Sequence, residues 1–284
     1  VAAVVAVTMP RVPGLSATLV QRALTAAVGI PLFVWVVVWA PTWAFGALAV
    51  GLSAVAAWEL MRMFEQAGRP GYRRLAVVGT GIVTASFIPT GVPALAAVVF
   101  TIVVGATLSA PVWTGARPAV EPAAATLLAV VYVGWLLGHG VLLRTAADGS
   151  SLVLLLVGTT WAGESAAYAV GSLLGRHPLA PVISPRKTKE GAVGQLVVSI
   201  LAAVVLGAWL LPRWSVWAAI VAGALLGVVG QIGDLVESVM KRSLGAKDTG
   251  GLIPGHGGVL DRLDGLLFNA PALFYYASWV GGRG

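Results

Sequence analysis

The chain has 284 residues, 58% of them hydrophobic and only 10% charged, with a mean hydropathy of +0.91 and a formal net charge of +7. A soluble domain is about a quarter charged, so this composition excludes an ordinary water-soluble globule and reads as an integral membrane protein. The basic excess does not point to nucleic acid, because Lys and Arg fall in short loops between apolar runs, and the lack of cysteine excludes a disulfide framework or a thiolate metal site.

In chain order, the opening VAAVVAVTMPR lacks the basic region that begins a signal peptide, and Met9 is a candidate start. A short amphipathic lead carries Arg11 and Arg22. Nine spanning helices are predicted, at 24–40, 42–64, 75–90, 93–113, 122–143, 151–175, 191–211, 216–244 and 260–280. The first turns at Ala40-Pro41, the polar loop EQAGRPGYRR follows the second, and Thr90 to Pro93 separates the third from the fourth. Pro41, Pro93 and Pro122 suit first-turn positions, where a missing N–H costs nothing. The expected fold class is an all-α polytopic membrane protein without internal repeats. Residues 1–150 form its N-terminal helices and 151–284 its catalytic region, within one integral unit.

Basic residues orient the chain. With a cytoplasmic N-terminus, all 18 Lys and Arg lie inside except Arg144, Arg213 and Arg283. This places the two longest polar segments, 176–190 and 241–265, on one cytoplasmic face.

Charges inside apolar runs are the first chemical signal. Glu164 lies in TTWAGESAAYAVG, and Asp234 and Glu237 lie in GQIGDLVESVMKR. A charge at the bilayer centre costs roughly 2.5–3.5 kcal/mol, so these acids should face a polar cavity or a cation. A headgroup position at a helix end is the alternative for these acids, more for Glu237 than for Asp234. Asp234, Glu237, Ser238 and Lys241 follow i, i+3, i+4, i+7 and share one helical face. Lys241 there is either a snorkelling interface lysine or a ligand contact.

The stretch KDTGGLIPGHGGVLDRLDG, from Lys247 to Gly265, concentrates the remaining chemistry. Asp261 and Asp264 share a face if a helix begins near Leu260, and two carboxylates so placed can hold a hard divalent cation such as Mg2+. Gly250, Gly251, Gly255, Gly257 and Gly258 leave backbone N–H groups open to an anion, and the helix N-terminus adds its positive dipole end. Lys247, Arg262 and His256 supply further donors. Together these groups describe a metal–polyphosphate site. Upstream, SPRKTKEG (Ser184 to Gly191) opens a helix with Thr188 and Glu190 near its start. It is either a positive-inside loop or a basic lid over a phosphate.

SVMKRSLGAKDTGGLIPGHGGVLDRLD, Ser238 to Asp264, resembles the C-terminal signature of the phosphatidate cytidylyltransferase, or CDP-diacylglycerol synthase, family. That signature runs from a serine through Lys-Arg and Lys-Asp to His-Gly-Gly and Asp-Arg-x-Asp. GESAAYAVGSLLG and ISPRKTKEG resemble two upstream motifs, and the likeness covers roughly residues 160–280. The resemblance implies attack by the phosphate oxygen of phosphatidic acid on the α-phosphorus of CTP, giving CDP-diacylglycerol and pyrophosphate with no side-chain nucleophile. It implies Mg2+ on Asp234, Asp261 and Asp264, with Asp248 nearby and Glu164 a further metal candidate; a second cation stays open. Lys241, Lys247, Arg262 and the segment Ser184, Pro185, Arg186 and Lys187 would bind the two phosphate groups, and His256 joins the catalytic set. Tyr168, Thr188, Glu190, Ser238, Arg242, Gly257 and Gly258 complete the expected substrate contacts. The implied partners are CTP and phosphatidic acid, in a plasma-membrane enzyme with its site facing the cytoplasm; a homodimer stays open.

The chain leaves the family pattern at Glu164, where Asp is usual, at Ser165-Ala166, where Thr-Gly is usual, and at Lys189, where an aromatic or apolar residue is usual. A transporter or channel would explain Glu164 and Asp234 but not the glycine-rich loop with Asp-Arg-x-Asp. Another CTP-dependent lipid enzyme, such as a polyprenol kinase, is the remaining alternative. The paired-aspartate motif of CDP-alcohol phosphotransferases is not found.

Overall fold

The computed structural model describes residues 27–89, 94–115, 119–250 and 257–281. Arg11, Arg22, Arg117, Arg283, Gly251, Gly255 and His256 lie outside the described residues. Helices occupy all of the predicted segments. They are α1 (Ala27–Val38), α2 (Thr42–Gln66), α3 (Arg73–Ala85), α4 (Leu95–Leu108) and the short α5 (Ala110–Thr114). Next, α6 (Glu121–Ala129), a π-helical turn (Val130–Trp135) and α7 (Leu136–Thr145) form one continuous rod. The remaining helices are α8 (Gly149–Leu174), α9 (Lys189–Leu210), α10 (Val216–Ser243) and α11 (Leu260–Gly281).

Among the described residues, five helical stretches are long and apolar enough to cross a membrane: α2, the α6–α7 rod, α8, α9 and α10. Their 22 to 28 residues give about 33–42 Å at 1.5 Å per residue, against a hydrocarbon core of about 30 Å. The expectation of nine spans is therefore supported only at this coarser level. α3 has 13 residues and α4 has 14, about 20 Å each at 1.5 Å per residue, so a crossing at either would include the residues that flank it. α11 has 22 residues, but Asp261, Arg262, Asp264, Asn269 and Pro271 make it less apolar than these five stretches.

The described residues are helical as expected, with one short hairpin added. β1 (Pro178–Ala180) and β2 (Ser184–Thr188) form an antiparallel hairpin between α8 and α9, with Pro178 opposite Thr188 and Ala180 opposite Ser184. Thr188 then caps α9, its hydroxyl accepting from Gly191 N at 3.1 Å, and Ser215 caps α10 in the same way through Ala218 N.

Two apolar clusters hold the bundle. One joins Val37, Phe45, Phe87, Leu143, Leu155, Leu211 and Leu273, and the other joins Leu60, Met61, Tyr132, Met240, Leu260 and Leu267. The second underlies the hairpin end of the molecule, where α2, α10 and α11 meet. Lipid tails are as apolar as leucine, so membrane helices bind through close backbone approach at small residues. At Gly223 an added Cβ would come within 2.6 Å of Ile200 Cα, so α9 and α10 can touch only without a side chain there. Large apolar side chains face outward along the spans, among them Val193, Val197, Leu201 and Val205 on α9. At the end opposite the hairpin, Trp39, Trp43, Trp209 and Trp217 are all more than half exposed, as expected of an interfacial aromatic belt.

Candidate functional site

A cavity of about 590 Å³ opens at the hairpin end between α8, α9 and α10. Glu164 and Tyr168 from α8, Arg186 and Lys187 from β2, and Gln231 and Asp234 from α10 reach its wall. The hairpin folds over this cavity for reasons visible in its bonds. Lys187 pairs with Asp234, and Arg242 Nε donates to Ile183 O at 3.3 Å. Glu190 accepts from the backbone N–H of Arg176 and His177 and pairs with His177 Nδ1 at 2.6 Å, fixing the base of the hairpin. The two polar segments recognised in the sequence are thus in contact. Ser184 also lines the cavity, while Pro185 is an exposed strand residue.

Beside the cavity, Asp234, Glu237 and Asp264 each place a carboxylate oxygen within 4.8 Å of the others. This approach depends on Gly233, where a Cβ would lie 2.8 Å from Asp264 O and force α10 away from α11. Glu237 is 1% exposed, and among the described residues its Oε1 has no hydrogen-bond partner. Lys241 Nζ donates to the other oxygen at 2.8 Å and to Asp261 Oδ1 at 2.9 Å, while Gly265 N donates to Asp264 Oδ1 at 2.8 Å. Three carboxylates repel one another at this range. An all-oxygen set with a buried, unused lone pair fits a hard divalent cation, which takes carboxylate ligands and leaves positions for phosphate and water. Glu164 packs against Gly265, where any side chain would strike its Oε1, and it lies within the electrostatic reach of Asp264, Asp234, Arg262 and Lys187.

The described ends of the glycine-rich segment, up to Gly250 and from Gly257, are arranged around carboxylates of the protein itself. Asp261 Oδ2 accepts from Gly258 N at 2.9 Å, Thr249 Oγ1 at 2.9 Å and Thr249 N at 3.2 Å. Glu59 of α2, fully buried, accepts from Val259 N at 3.1 Å and Leu260 N at 2.9 Å. Gly257 has φ +85°, a conformation that L side chains rarely adopt. Asp261 is therefore one turn from the Asp234–Glu237–Asp264 group and joined to it by Lys241.

Of the other expected residues, Lys247, Asp248, Arg242 and Arg262 are exposed on the same end, and Ser238 is half-buried on α10. Tyr168 is 80% exposed at the cavity mouth. Two residues escaped the sequence reading. Glu59 carries the same signal as Glu164, a carboxylate inside an apolar run. Tyr132 lies in the π-helical turn, buried, with no hydrogen-bond partner for its hydroxyl among the described residues and within the electrostatic reach of Glu237, Asp264 and Asp234. Nothing in an isolated VVYVGW marks it.

Comparison with known proteins adds an independent line. A Staphylococcus haemolyticus protein named phosphatidate cytidylyltransferase is 40% identical over 151 residues, 53% of this chain and 57% of that protein. One of the same name from Mycobacterium bovis is 38% identical over 171 residues, 59% of this chain and 54% of the relative. An uncharacterized Escherichia coli K12 protein, YnbB, is 41% identical over 153 residues, 53% of this chain and 50% of its own. The chain thus spans about half the length of the curated relatives it matches. The model of the cytidylyltransferase family matches from residue 20 to residue 280, which covers every carboxylate described above, and the chain belongs to that family.

Proposed function

We propose that the protein is a phosphatidate cytidylyltransferase that joins CTP to phosphatidic acid and releases pyrophosphate. The observation that carries the proposal is the cluster of Asp234, Glu237 and Asp264 beside a cavity walled by Arg186 and Lys187, within a bundle of membrane-length helices. Family membership and the printed names of the staphylococcal and mycobacterial relatives support it. The acceptor is a lipid phosphate already carrying negative charge, so positioning and charge neutralisation suffice for transfer.

In this reading Asp234, Asp261 and Asp264 would hold magnesium, with Glu237 added by the geometry and Glu164 beside them. A bound magnesium ion would neutralise phosphate charge and bring the two phosphates together. Arg186, Lys187 and Ser184 on the hairpin bind phosphate from above, with Lys247 and Arg262 at the rim. Lys241 holds Asp261 and Glu237 in place. Tyr168, Thr188, Ser238, Gly257 and Gly258 line the approach, and His256 and Asp248 belong to the same set. The Glu190 carboxylate fixes the hairpin base and contributes through it. The further proposals are nine spans, an N-terminal helical part (1–150), a catalytic part (151–284), and a site facing the cytoplasm of a plasma-membrane enzyme.

The direct test supplies purified protein with radiolabelled CTP and phosphatidic acid in mixed micelles, with and without Mg2+. Label should enter a CDP-lipid only when both lipid and metal are present. A preparation that binds CTP but labels no lipid removes the proposal.

A further inference from the structure

We infer that Glu59, from the N-terminal half of the chain, is a positioning residue that caps the site-bearing helix α11 in trans. The inference rests on the proposed reaction for its kinetic arm and on geometry alone for its structural arm. A helix leaves its first N–H groups without intrahelical partners, and a side chain just before the first turn usually accepts from them. Here the preceding residues are Gly257, Gly258 and Val259, none of which has a side-chain acceptor. Glu59 fills the gap from about 200 positions away, with Oε1 on Val259 N and Oε2 on Leu260 N.

Three further observations make this a built arrangement. Glu59 is 0% exposed, so its two carboxyl oxygens find their partners within the protein, at the positive end of the α11 dipole. The loop is contoured to it: a Cβ at Gly250 would lie 2.7 Å from Glu59 Oε1, and one at Gly258 would lie 2.7 Å from Oε2. Finally, Thr249 Oγ1 sits between the two acids, 3.5 Å from Glu59 Oε2 and 2.9 Å from Asp261 Oδ2. The chain Glu59–Thr249–Asp261–Lys241–Glu237 thus runs from α2 to the carboxylate cluster. Glu59 has no exposed surface from which to meet substrate. It sets where α11 begins, and therefore where Asp261 and Asp264 point.

The test uses the full-length protein in detergent or nanodiscs. Glu59→Gln keeps the shape but turns one acceptor into a donor facing an N–H. Glu59→Asp keeps both acceptors but withdraws them by one methylene. Amide exchange of the segment 249–261 should accelerate about tenfold or more in Gln and less in Asp, with α8 and α9 unchanged. Turnover should follow the same order, Glu above Asp above Gln, through kcat with KM for CTP nearly constant. If Gln fails to fold, the Asp variant carries the test through both readouts. Unchanged exchange at 249–261 in whichever variants fold overturns the inference. A wild-type protein without cytidylyl transfer but with the exchange effect would instead overturn the proposed function and leave the trans cap standing.

Discussion

Three carboxylates within 4.8 Å are an unusual thing for an apolar bundle to keep, and their cost is the handle by which to test them. In the absence of divalent metal, Asp234, Glu237 and Asp264 repel one another, so neutralising one relieves strain rather than creating it. Asp264→Asn should therefore unfold no earlier than the parent in metal-free buffer, whereas Glu237→Gln gains the same relief but gives up its ion pair with Lys241. Both should lose more than about tenfold in turnover, roughly 1.4 kcal/mol of barrier, and both should lose the thermal stabilisation that Mg2+ gives the parent. A variant that keeps full Mg2+ stabilisation is not missing a ligand. Glu164 allows a finer comparison, because the resemblance implies the shorter Asp at that position. As an anion facing a bound Mg2+, it should tolerate Glu164→Asp far better than Glu164→Gln across a Mg2+ titration. Equal behaviour of Gln and wild type would remove it from the site. Much of this cluster was legible in the sequence, because the penalty for a charge in hydrocarbon and the i, i+3 spacing are both local facts. The use made of the glycine N–H groups was not. Where a ligand anion was expected, Gly258 N donates to Asp261, and the N–H groups of Val259 and Leu260 that follow donate to Glu59, which only the tertiary fold brings to the loop.

At the scale of elements, long apolar runs bounded by Pro, Gly or Arg placed the helices to within a few residues, because a spanning helix needs little beyond length and hydropathy. The misses have local causes. Residues 178–188 show no alternation of apolar and polar side chains, and Pro185 sits inside the second strand, so no strand signal exists. The hairpin is held from outside its own sequence, by Lys187 on Asp234 and by Arg242 on Ile183. The π-helical turn at Val130–Trp135 is equally silent, since one extra residue per turn leaves no pattern in a run that is apolar all round. The segment leading into α11 offers a clean perturbation. A methyl at Gly258 would overlap Thr249 Oγ1 and crowd both oxygens of Glu59, side-chain atoms that can yield only by giving up their hydrogen bonds to Asp261, Val259 N and Leu260 N. Gly258→Ala should cost about 1–3 kcal/mol of stability from overpacking and reduce turnover, whereas Gly245→Ala, where φ is +67° but space is open, should cost stability with little effect on turnover. Thermal unfolding and rate measured on the same preparations check the contrast. Matched activity losses in both variants would mean that the loop responds to backbone strain in general and not to the seat around Glu59.

At the scale of the whole molecule the polar chemistry gathers at one end. The hairpin, the end of α10 and the start of α11 meet there, and Arg242 touches Ile183 across the two polar segments. The opposite end carries the exposed tryptophans, and Arg144 there donates to Ala40 O at 3.0 Å, tying the α7 terminus to the turn between α1 and α2. The 26 residues of α8 separate these ends by about 39 Å, enough to set them on opposite sides of a bilayer. The bias of basic residues then predicts which end meets the cytoplasm, since translocated loops carry few Lys or Arg. With no native cysteine, single replacements give an unambiguous readout. Ser184→Cys at the hairpin and Ser243→Cys at the end of α10 should resist a membrane-impermeant maleimide added to intact cells and react after permeabilisation. Asp148→Cys, at the N-cap of α8, should react in intact cells. Each position is half-buried or exposed, so lack of labelling before permeabilisation would reflect sidedness once labelling afterwards is shown. Labelling of Ser184→Cys and Asp148→Cys from the same side would contradict the membrane placement of α8 itself. Labelling of the hairpin end from outside would keep the bundle but invert it, which would deny the site access to cytoplasmic CTP and so count against the proposed reaction.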